Sequence, residues 1–177
     1  MTQLELQKAL DYLDQQNVWA FSINMIELLF PNEAKHTIAI SLSRHSKNGI
    51  ITNVCRGVYA NPRATCVPQF SAEALSSIIR TGEQSYLSLE TVLSESGYLS
   101  QMPNRLTFMT TGRSQTFVTP YGIIEYVHSK ADRKGFLNGC EYNELRGIWV
   151  ASVEKAATDI KKTHRSVDLV DWDDLAA

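Results

Sequence analysis

Apolar residues recur at helical spacing near the start of the chain. Leu6, Leu10 and Leu13 stand at i, i+4 and i+7 among polar neighbours, a pattern that predicts an amphipathic helix ending near residues 16–17. Ser22 is a candidate N-cap for a second helix, and Pro31 ends that helix. The pattern therefore predicts two helices joined by the short, β-rich link 18–21.

The stretch 35–47 fits two kinds of secondary structure. Ile38, Ile40 and Leu42 alternate with small polar residues, as they would in a half-buried strand. Wound as a helix, however, the stretch places Ile38 and Leu42 on one side, and the Asn-Gly pair at 48–49 supplies a left-handed C-terminal cap. These two features favour a third helix over residues 35–47.

The polar side of this third helix carries small hydroxyl groups around a single arginine. Thr37, Ser41 and Arg44 line that side in the helical projection. Small side chains allow close approach to a groove of double-stranded DNA, where an arginine can bind guanine and the nearby Ile40 can contact a thymine methyl group. An ordinary solvated helix face has the same composition, and the sequence leaves both interpretations open.

The local charge around this helix differs from that of the whole chain. The 177-residue chain has a net charge of −2, yet the window from Ala34 to Ala72 contains no Asp or Glu. The five cations of the window are Lys35, Arg44, Lys47, Arg56 and Arg63. A surface that binds phosphates needs positive charge without neighbouring carboxylates, because carboxylates would repel the anion.

The cationic window continues into a predicted β-ribbon. Residues 50–55 are rich in β-branched side chains, Arg56 and Gly57 form the predicted tip, and Pro62 follows the second strand. A helix followed by a basic hairpin is typical of a winged helix-turn-helix, which we predict for residues 1–63. The candidate DNA-binding residues are Lys35, Thr37, Ser41, Arg44, Lys47, Arg56 and Arg63.

Residues 70–177 predict a second domain of α+β class. Apolar spacing predicts helices over 70–81 and 151–162, and a short helix between the N-cap candidate Ser88 and Gly97. Three strand-like stretches follow Pro103, and they predict an antiparallel three-stranded meander. Its strands are 106–111, 114–118 and 123–128.

Two other charged regions are candidates for binding a partner. The span 101–124 again lacks acids and contains Arg105 and Arg113, which form a candidate second surface for nucleic acid or a partner. Two solvated arginines near turns explain the same pattern. The tail 168–174 carries four acids around Trp172, which is typical of a surface or partner-binding terminus.

Several function classes lack support in the sequence. The three cysteines show no close pairing along the sequence, and the four histidines are scattered, so neither residue type has the spacing of metal ligands. We therefore expect neither a metal nor another cofactor. No stretch is apolar over the roughly 18–20 residues of a membrane span, and no secretory signal is visible, so we expect a cytoplasmic protein.

Metal-dependent nucleases carry an acid-x-lysine pattern on paired strands, and the placement of this pattern here argues against catalysis. The pattern occurs at 33–35, 132–134 and 159–161, in a predicted turn, a loop and a helix rather than on paired strands. Nucleotidyltransferase, P-loop and GxSxG patterns are absent from the sequence. We therefore expect no catalytic residues, with a nuclease and a protein-interaction module as the alternatives to a DNA-binding protein.

A series of short motifs, in one order, resembles the AbiEi antitoxin family. The hairpin motif Arg56-Gly57-Val58-Tyr59 resembles the wing of that family, and the helix 152–156, followed by Asp159, is similar to its later helix. The family often has Pro where this chain has Val153. The intervening similar segments are residues 86–93, 97–98, 103–105, 110–114, 119–122 and 124–126.

The resemblance implies a repressor and antitoxin of a type IV toxin–antitoxin, or abortive-infection, system. Members repress their own operon by binding inverted repeats through the winged helix. They also counteract a nucleotidyltransferase toxin encoded beside them, without a stable complex between toxin and antitoxin. For this chain we therefore expect two copies on an inverted-repeat operator, and Arg56 matches the wing motif. A stand-alone regulator without a toxin partner is the alternative.

Overall fold

The computed structural model describes residues 1–175 of the chain. The chain divides into two compact units at the boundary between Ser71 and Ala72. No helix within the described part of the chain is both long enough and apolar enough to cross a membrane.

The first unit contains three helices and a small antiparallel sheet. The strands of this sheet lie in the order β1-β3-β2, so the last strand of the unit is the central one. The elements are α1 (Gln3–Gln15), β1 (Ala20–Ser22), α2 (Ile23–Leu29), α3 (Lys35–Lys47), β2 (Thr52–Cys55) and β3 (Val58–Ala60).

Local capping signals set the helix boundaries in this unit. Thr2 and Glu5 form a capping box at the start of α1. The predicted N-cap Ser22 accepts a 3.4 Å hydrogen bond from the backbone N–H of Met25. Gly49, at a φ of +71°, adopts the left-handed conformation that the predicted end of α3 requires. The helical interpretation of residues 35–47 is therefore confirmed, and the strand alternative is wrong.

One hydrophobic core holds the first unit together. It joins the apolar stripe of α1 to the inner face of α3 and to the hairpin. Phe21 of β1 and Tyr59 of β3 stack within it, with ring centroids 6.3 Å apart. The buried members are Leu6, Leu10, Leu13, Phe21, Ile26, Ile38, Leu42, Ile50, Ile51 and Tyr59.

The second unit combines a six-stranded sheet with four helices of very different length. The helices are α4 (Ser71–Ile79), α5 (Leu89–Glu95), α6 (Val153–Thr163) and α7 (Trp172–Leu175), with a 3-10 turn at Val167–Leu169. The strands are β4 (Ser85–Leu87), β5 (Leu106–Thr110), β6 (Gln115–Thr119), β7 (Gly122–His128), β8 (Cys140–Asn143) and β9 (Ile148–Ala151).

The predicted antiparallel meander is wrong. The sheet is mixed, in the order β6-β7-β5-β4-β9-β8, and β7 lies between β5 and β6. β7 pairs parallel to β5 and antiparallel to β6. Ile124 and Tyr126 of β7 are fully buried, whereas Thr116 and Val118 of β6 face solvent, so the more apolar strand occupies the inner position.

The connection between β5 and β6 explains how β7 comes to lie between them. Four residues, 111–114, cross over the end of β7, which requires a span of about two strand spacings, roughly 10 Å. His128, at the end of β7, contacts the crossing segment twice. Its ring Nδ1 lies 2.7 Å from the carbonyl oxygen of Gly112, and its backbone N–H donates a hydrogen bond to the hydroxyl of Ser114. Arg80 donates a 2.8 Å hydrogen bond to the Arg113 carbonyl.

The acidic tail is anchored by the backbone of Val170 and by the side chain of Trp172. Leu99 pairs with Val170 in an isolated bridge, and the Trp172 indole N–H donates a 2.8 Å hydrogen bond to the carbonyl of Val167. The Lys161 ammonium lies 4.2 Å from the centre of the Trp172 ring. The carboxylates of the tail remain exposed around this anchor.

Candidate nucleic-acid interface

The outward face of α3 is a continuous stripe of exposed side chains. Thr37, Ile40, Arg44 and Lys47 follow one another at spacings of three and four residues, so they lie along one side of the helix. Ile40, the apolar member of the stripe, is 55% exposed. The stripe can therefore offer hydroxyl, apolar and cationic groups to one partner.

Arg44 is exposed, and within residues 1–175 its guanidinium makes one hydrogen bond. Its Nη2 donates to the carbonyl oxygen of Met1 at 3.2 Å. None of the salt bridges among residues 1–175 includes Arg44, so no carboxylate of this region neutralises it. Its charge is thus available to an anion.

The prediction that Ser41 lies on the outward face is wrong. Ser41 is only 6% exposed. At about 100° per residue, Ser41 falls beside Ile38 and His45 on the inner arc of the helix. That arc is wider than its two apolar residues suggest, because it also takes in one serine and one histidine.

His45 was not singled out by its sequence, yet its environment is unusual. Its ring is 3% exposed, and neither Nδ1 nor Nε2 has a hydrogen-bond partner among the described residues. The i, i+3, i+7 relation among Ile38, Ser41 and His45 is the sequence signal that places this histidine on the inner arc.

Lys35 begins α3 but is partly neutralised by α2. Its ammonium lies 3.1 Å from Oε1 of Glu27 and donates a 2.7 Å hydrogen bond to the side-chain oxygen of Asn24. Although the sequence window 34–72 contains no acids, an acid from outside the window therefore lies next to one of its cations in the folded unit. The cationic character of the face is concentrated in the second half of α3.

The β2–β3 hairpin presents the predicted cation at its tip. Arg56 is exposed in the two-residue turn, and Gly57 has a φ of +81°, which favours glycine at this position. The Gly57 carbonyl accepts a 3.0 Å hydrogen bond from the N–H of Ile23, at the start of α2. This bond fixes the base of the tip against the helices of the same unit.

Arg63 lies away from the hairpin tip. It follows the opposite end of the three-residue strand β3, and it lines a cleft together with Asp11 and Asp14 of α1. The two carboxylates make this cleft unfavourable for a phosphate group. The structure thus does not place Arg63 with Arg56, although both belong to the same stretch of sequence.

Asp14 also connects α1 to the end of the unit. Its carboxylate accepts hydrogen bonds from the backbone N–H and the hydroxyl of Thr65, each at 2.9 Å. Hydrogen bonds from the Cys66 side chain and from Thr65 lower the pKa of Asp14 from its ordinary 3.8 to about 2. Burial, together with this carboxylate, raises the pKa of the Cys66 thiol to about 11.

The candidate second surface divides into two separate places. Arg105 precedes β5 and pairs with Glu125 at 3.3 Å, whereas Arg113 follows the far end of the same strand. A five-residue strand is about 17 Å long. The two arginines therefore do not form one cationic patch in the second unit.

None of the acid-x-lysine patterns at 33–35, 132–134 and 159–161 lies on a strand of the described region. Asp159 is buried in α6, where its Oδ2 accepts hydrogen bonds from the hydroxyls of Tyr86 and Ser88, each at 2.9 Å. Ser88 was predicted to cap α5, but its side chain makes no capping bond. Within residues 1–175 no three His, Cys, Asp or Glu side chains are grouped to hold a metal ion.

Comparison with models of known protein families finds no match to this chain, and comparison with curated proteins finds none either.

Proposed function

We propose that this chain is a DNA-binding transcriptional repressor whose first unit is a winged helix-turn-helix. In this proposal α3 enters the major groove and the β2–β3 hairpin is the wing. The exposed stripe of α3, with Arg44 at its centre and Arg56 at the hairpin tip, is the observation that carries the proposal.

The order of elements in the first unit supports this assignment. Three helices and three strands follow one another in the order α1-β1-α2-α3-β2-β3, and α1 and α3 share one core with the sheet. In a winged helix the third helix is the recognition helix, and the hairpin after it contacts the DNA backbone. The shared core leaves the outer face of α3 and the hairpin tip to solvent, as such a role requires.

The chemistry of the stripe supports direct contact with bases. Arg44 can donate two hydrogen bonds to guanine, and Ile40 can contact a thymine methyl group. Lys47, in the last turn of α3, and Arg56 can bind phosphates on either side of the groove. Two copies would then occupy half-sites of an inverted repeat, separated by about one helical turn or a multiple of it.

We further propose that the repressor is an antitoxin of the AbiEi kind that regulates a type IV toxin–antitoxin operon. The ordered series of motifs along the sequence supports this step. The partner would be a nucleotidyltransferase toxin that is counteracted without a stable complex. The same DNA-binding unit in a stand-alone regulator is the alternative.

The direct test measures binding of the full chain to a duplex from the region upstream of its own coding sequence. We expect affinity to fall steeply with salt, because each neutralised phosphate contributes about −0.9 to the slope of log K against log salt on duplex DNA. A slope near zero would contradict the repressor. Cleavage of the duplex in magnesium would contradict the non-catalytic role.

The antitoxin step has its own test. Co-expression with a nucleotidyltransferase encoded beside this chain should restore growth that the toxin arrests. Failure to restore growth, with DNA binding intact, would favour the stand-alone regulator.

A further inference from the structure

A cavity of about 630 Å³ opens in the second unit beside α6 and the end of β7. Lys155 and Lys162 of α6 line it, and Lys130 lines it from the segment after β7. Met109 and Val127 give part of its wall an apolar character. Its volume falls within the range typical of sites for small molecules, about 300–1,000 Å³.

The three lysines of this cavity lack carboxylate partners. None of them forms a salt bridge with another residue of the described region, 1–175. Four arginines of the same unit behave differently, because ion pairs with glutamates hold Arg80, Arg105, Arg146 and Arg165. The charge of the three cavity lysines is therefore available to a bound anion.

One carboxylate, that of Asp159, also lines the cavity. Its Oδ2 already accepts hydrogen bonds from the hydroxyls of Tyr86 and Ser88. The Lys155 ammonium lies 5.1 Å from the centre of the Tyr86 ring rather than on the carboxylate. With three lysines against one aspartate, the charge of the lining remains positive.

We infer that this cavity binds a small phosphorylated molecule. A phosphate group carries several acceptor oxygens and negative charge, and lysine binds it as a point charge. The concave shape suits a small molecule, whose apolar portion can rest against Met109 and Val127. The backbone of a rigid duplex fits such a pocket less well. The inference is independent of the proposed DNA contact, because it concerns residues of the second unit alone.

The primary experiment titrates the full chain with inorganic pyrophosphate at low salt and follows backbone amide resonances by NMR. We expect saturable shifts at residues 128–131 and 162–163. The double variant Lys155→Gln/Lys162→Gln should weaken binding at least ten-fold. Lys134→Gln removes an exposed lysine that does not line the cavity, and it should change the affinity by less than two-fold.

A second measurement uses the unmodified chain and so does not depend on variants that fold. Pyrophosphate should protect Lys130, Lys155 and Lys162 from acetylation, as read by mass spectrometry, while Lys134 reacts at an unchanged rate. Absence of saturation, equal weakening by Lys134→Gln, or shifts centred on α3 and the hairpin instead would each overturn the inference.

Duplex DNA distinguishes the two sources of phosphate. We expect the double variant to bind the operator duplex as the unmodified chain does. If the double variant loses duplex affinity while pyrophosphate protects none of the three lysines, the lysines contact nucleic acid and the inference is overturned. This result would still leave the role of α3 to be decided by its own variants.

Discussion

The hydroxyl of Tyr86 donates a 2.9 Å hydrogen bond to Oδ2 of Asp159, and both side chains are buried. This bond joins β4 to α6 across 73 positions of the chain. Burial, followed by the neighbouring Asp159 charge, raises the pKa of Tyr86 well above its ordinary value, so the tyrosine stays a donor at all physiological pH.

Tyr86→Phe should therefore destabilise the protein by about 1–3 kcal/mol, because a buried carboxylate oxygen loses one of its two donors. A urea titration of the full chain measures the change. Tyr142→Phe deletes the same atom at an exposed position and should change the free energy of unfolding by less than about 0.5 kcal/mol. Equal effects of the two variants would contradict the role of the Tyr86–Asp159 bond.

Asp14 predicts a pH dependence in the acid range. Its pKa, about 2 in the folded state, lies below the ordinary 3.8, so its stabilising contribution is complete above about pH 4 and is lost as the pH falls towards 2. Asp14→Asn should be less stable than the unmodified protein at pH 6, and the difference should shrink as the pH falls through this window. Thermal unfolding of both proteins between pH 6 and 2 measures it.

Asp11→Asn is the matched control for this measurement, since Asp11 is an exposed acid one turn earlier on α1. Asp11→Asn leaves the bonds from Thr65 and Cys66 to Asp14 intact, so this variant should still lose stability as the pH falls from 4 towards 2. A difference between Asp14→Asn and the unmodified protein that does not change with pH would show that these bonds contribute nothing to the acid stability.

Buried His45 predicts a stabilising substitution. Its two ring nitrogens lack partners in the described region, and leaving a buried polar group unsatisfied costs about 1–3 kcal/mol. His45→Leu should therefore raise the free energy of unfolding by about 1 kcal/mol in a urea titration. His36→Leu, at an exposed position of the same helix, should change it by less than about 0.5 kcal/mol. A loss of stability in His45→Leu would contradict the burial of an unsatisfied ring.

Local signals explain why the helices were predictable from the sequence. The bounds of α3 follow from an apolar stripe and from the left-handed Gly49, both of which lie within a few residues of the helix. α6 was predictable for the same reason, because Ser152 caps it and its apolar face has strong helical spacing.

The strands β4 and β8 and the placement of β7 were not predicted from the sequence, because they depend on pairing between distant residues. The three-residue strand β4 is too short to stand out, and charged or exposed side chains dilute the pattern of β8. The placement of β7 between β5 and β6 depends on which strand buries more apolar surface, which adjacent residues do not reveal. The helical projection likewise placed Ser41 outward, because the true inner arc is wider than its apolar residues indicate.

The candidate interface was predictable in part for the same reasons. The outward positions of Thr37, Arg44 and Lys47 follow from helical spacing, and the position of Arg56 follows from the turn. The pairing of Lys35 with Glu27 and the position of Arg63 beside Asp14 both depend on tertiary contacts. Charge depletion along a sequence therefore identifies a cationic region but does not fix which cations are free.

The central claim is that the outer face of α3 and the hairpin tip contact DNA, and one experiment on the upstream duplex tests it directly. Affinities of Arg44→Ala, Arg56→Ala and Arg63→Ala are measured on the duplex and on single-base variants of it. We predict that Arg44→Ala loses about 1–3 kcal/mol, mainly through one base pair. Arg56→Ala should weaken all sequences evenly and reduce the salt slope by about 1, whereas Arg63→Ala should bind normally. Equal affinity of all three variants and the unmodified protein would contradict the claim.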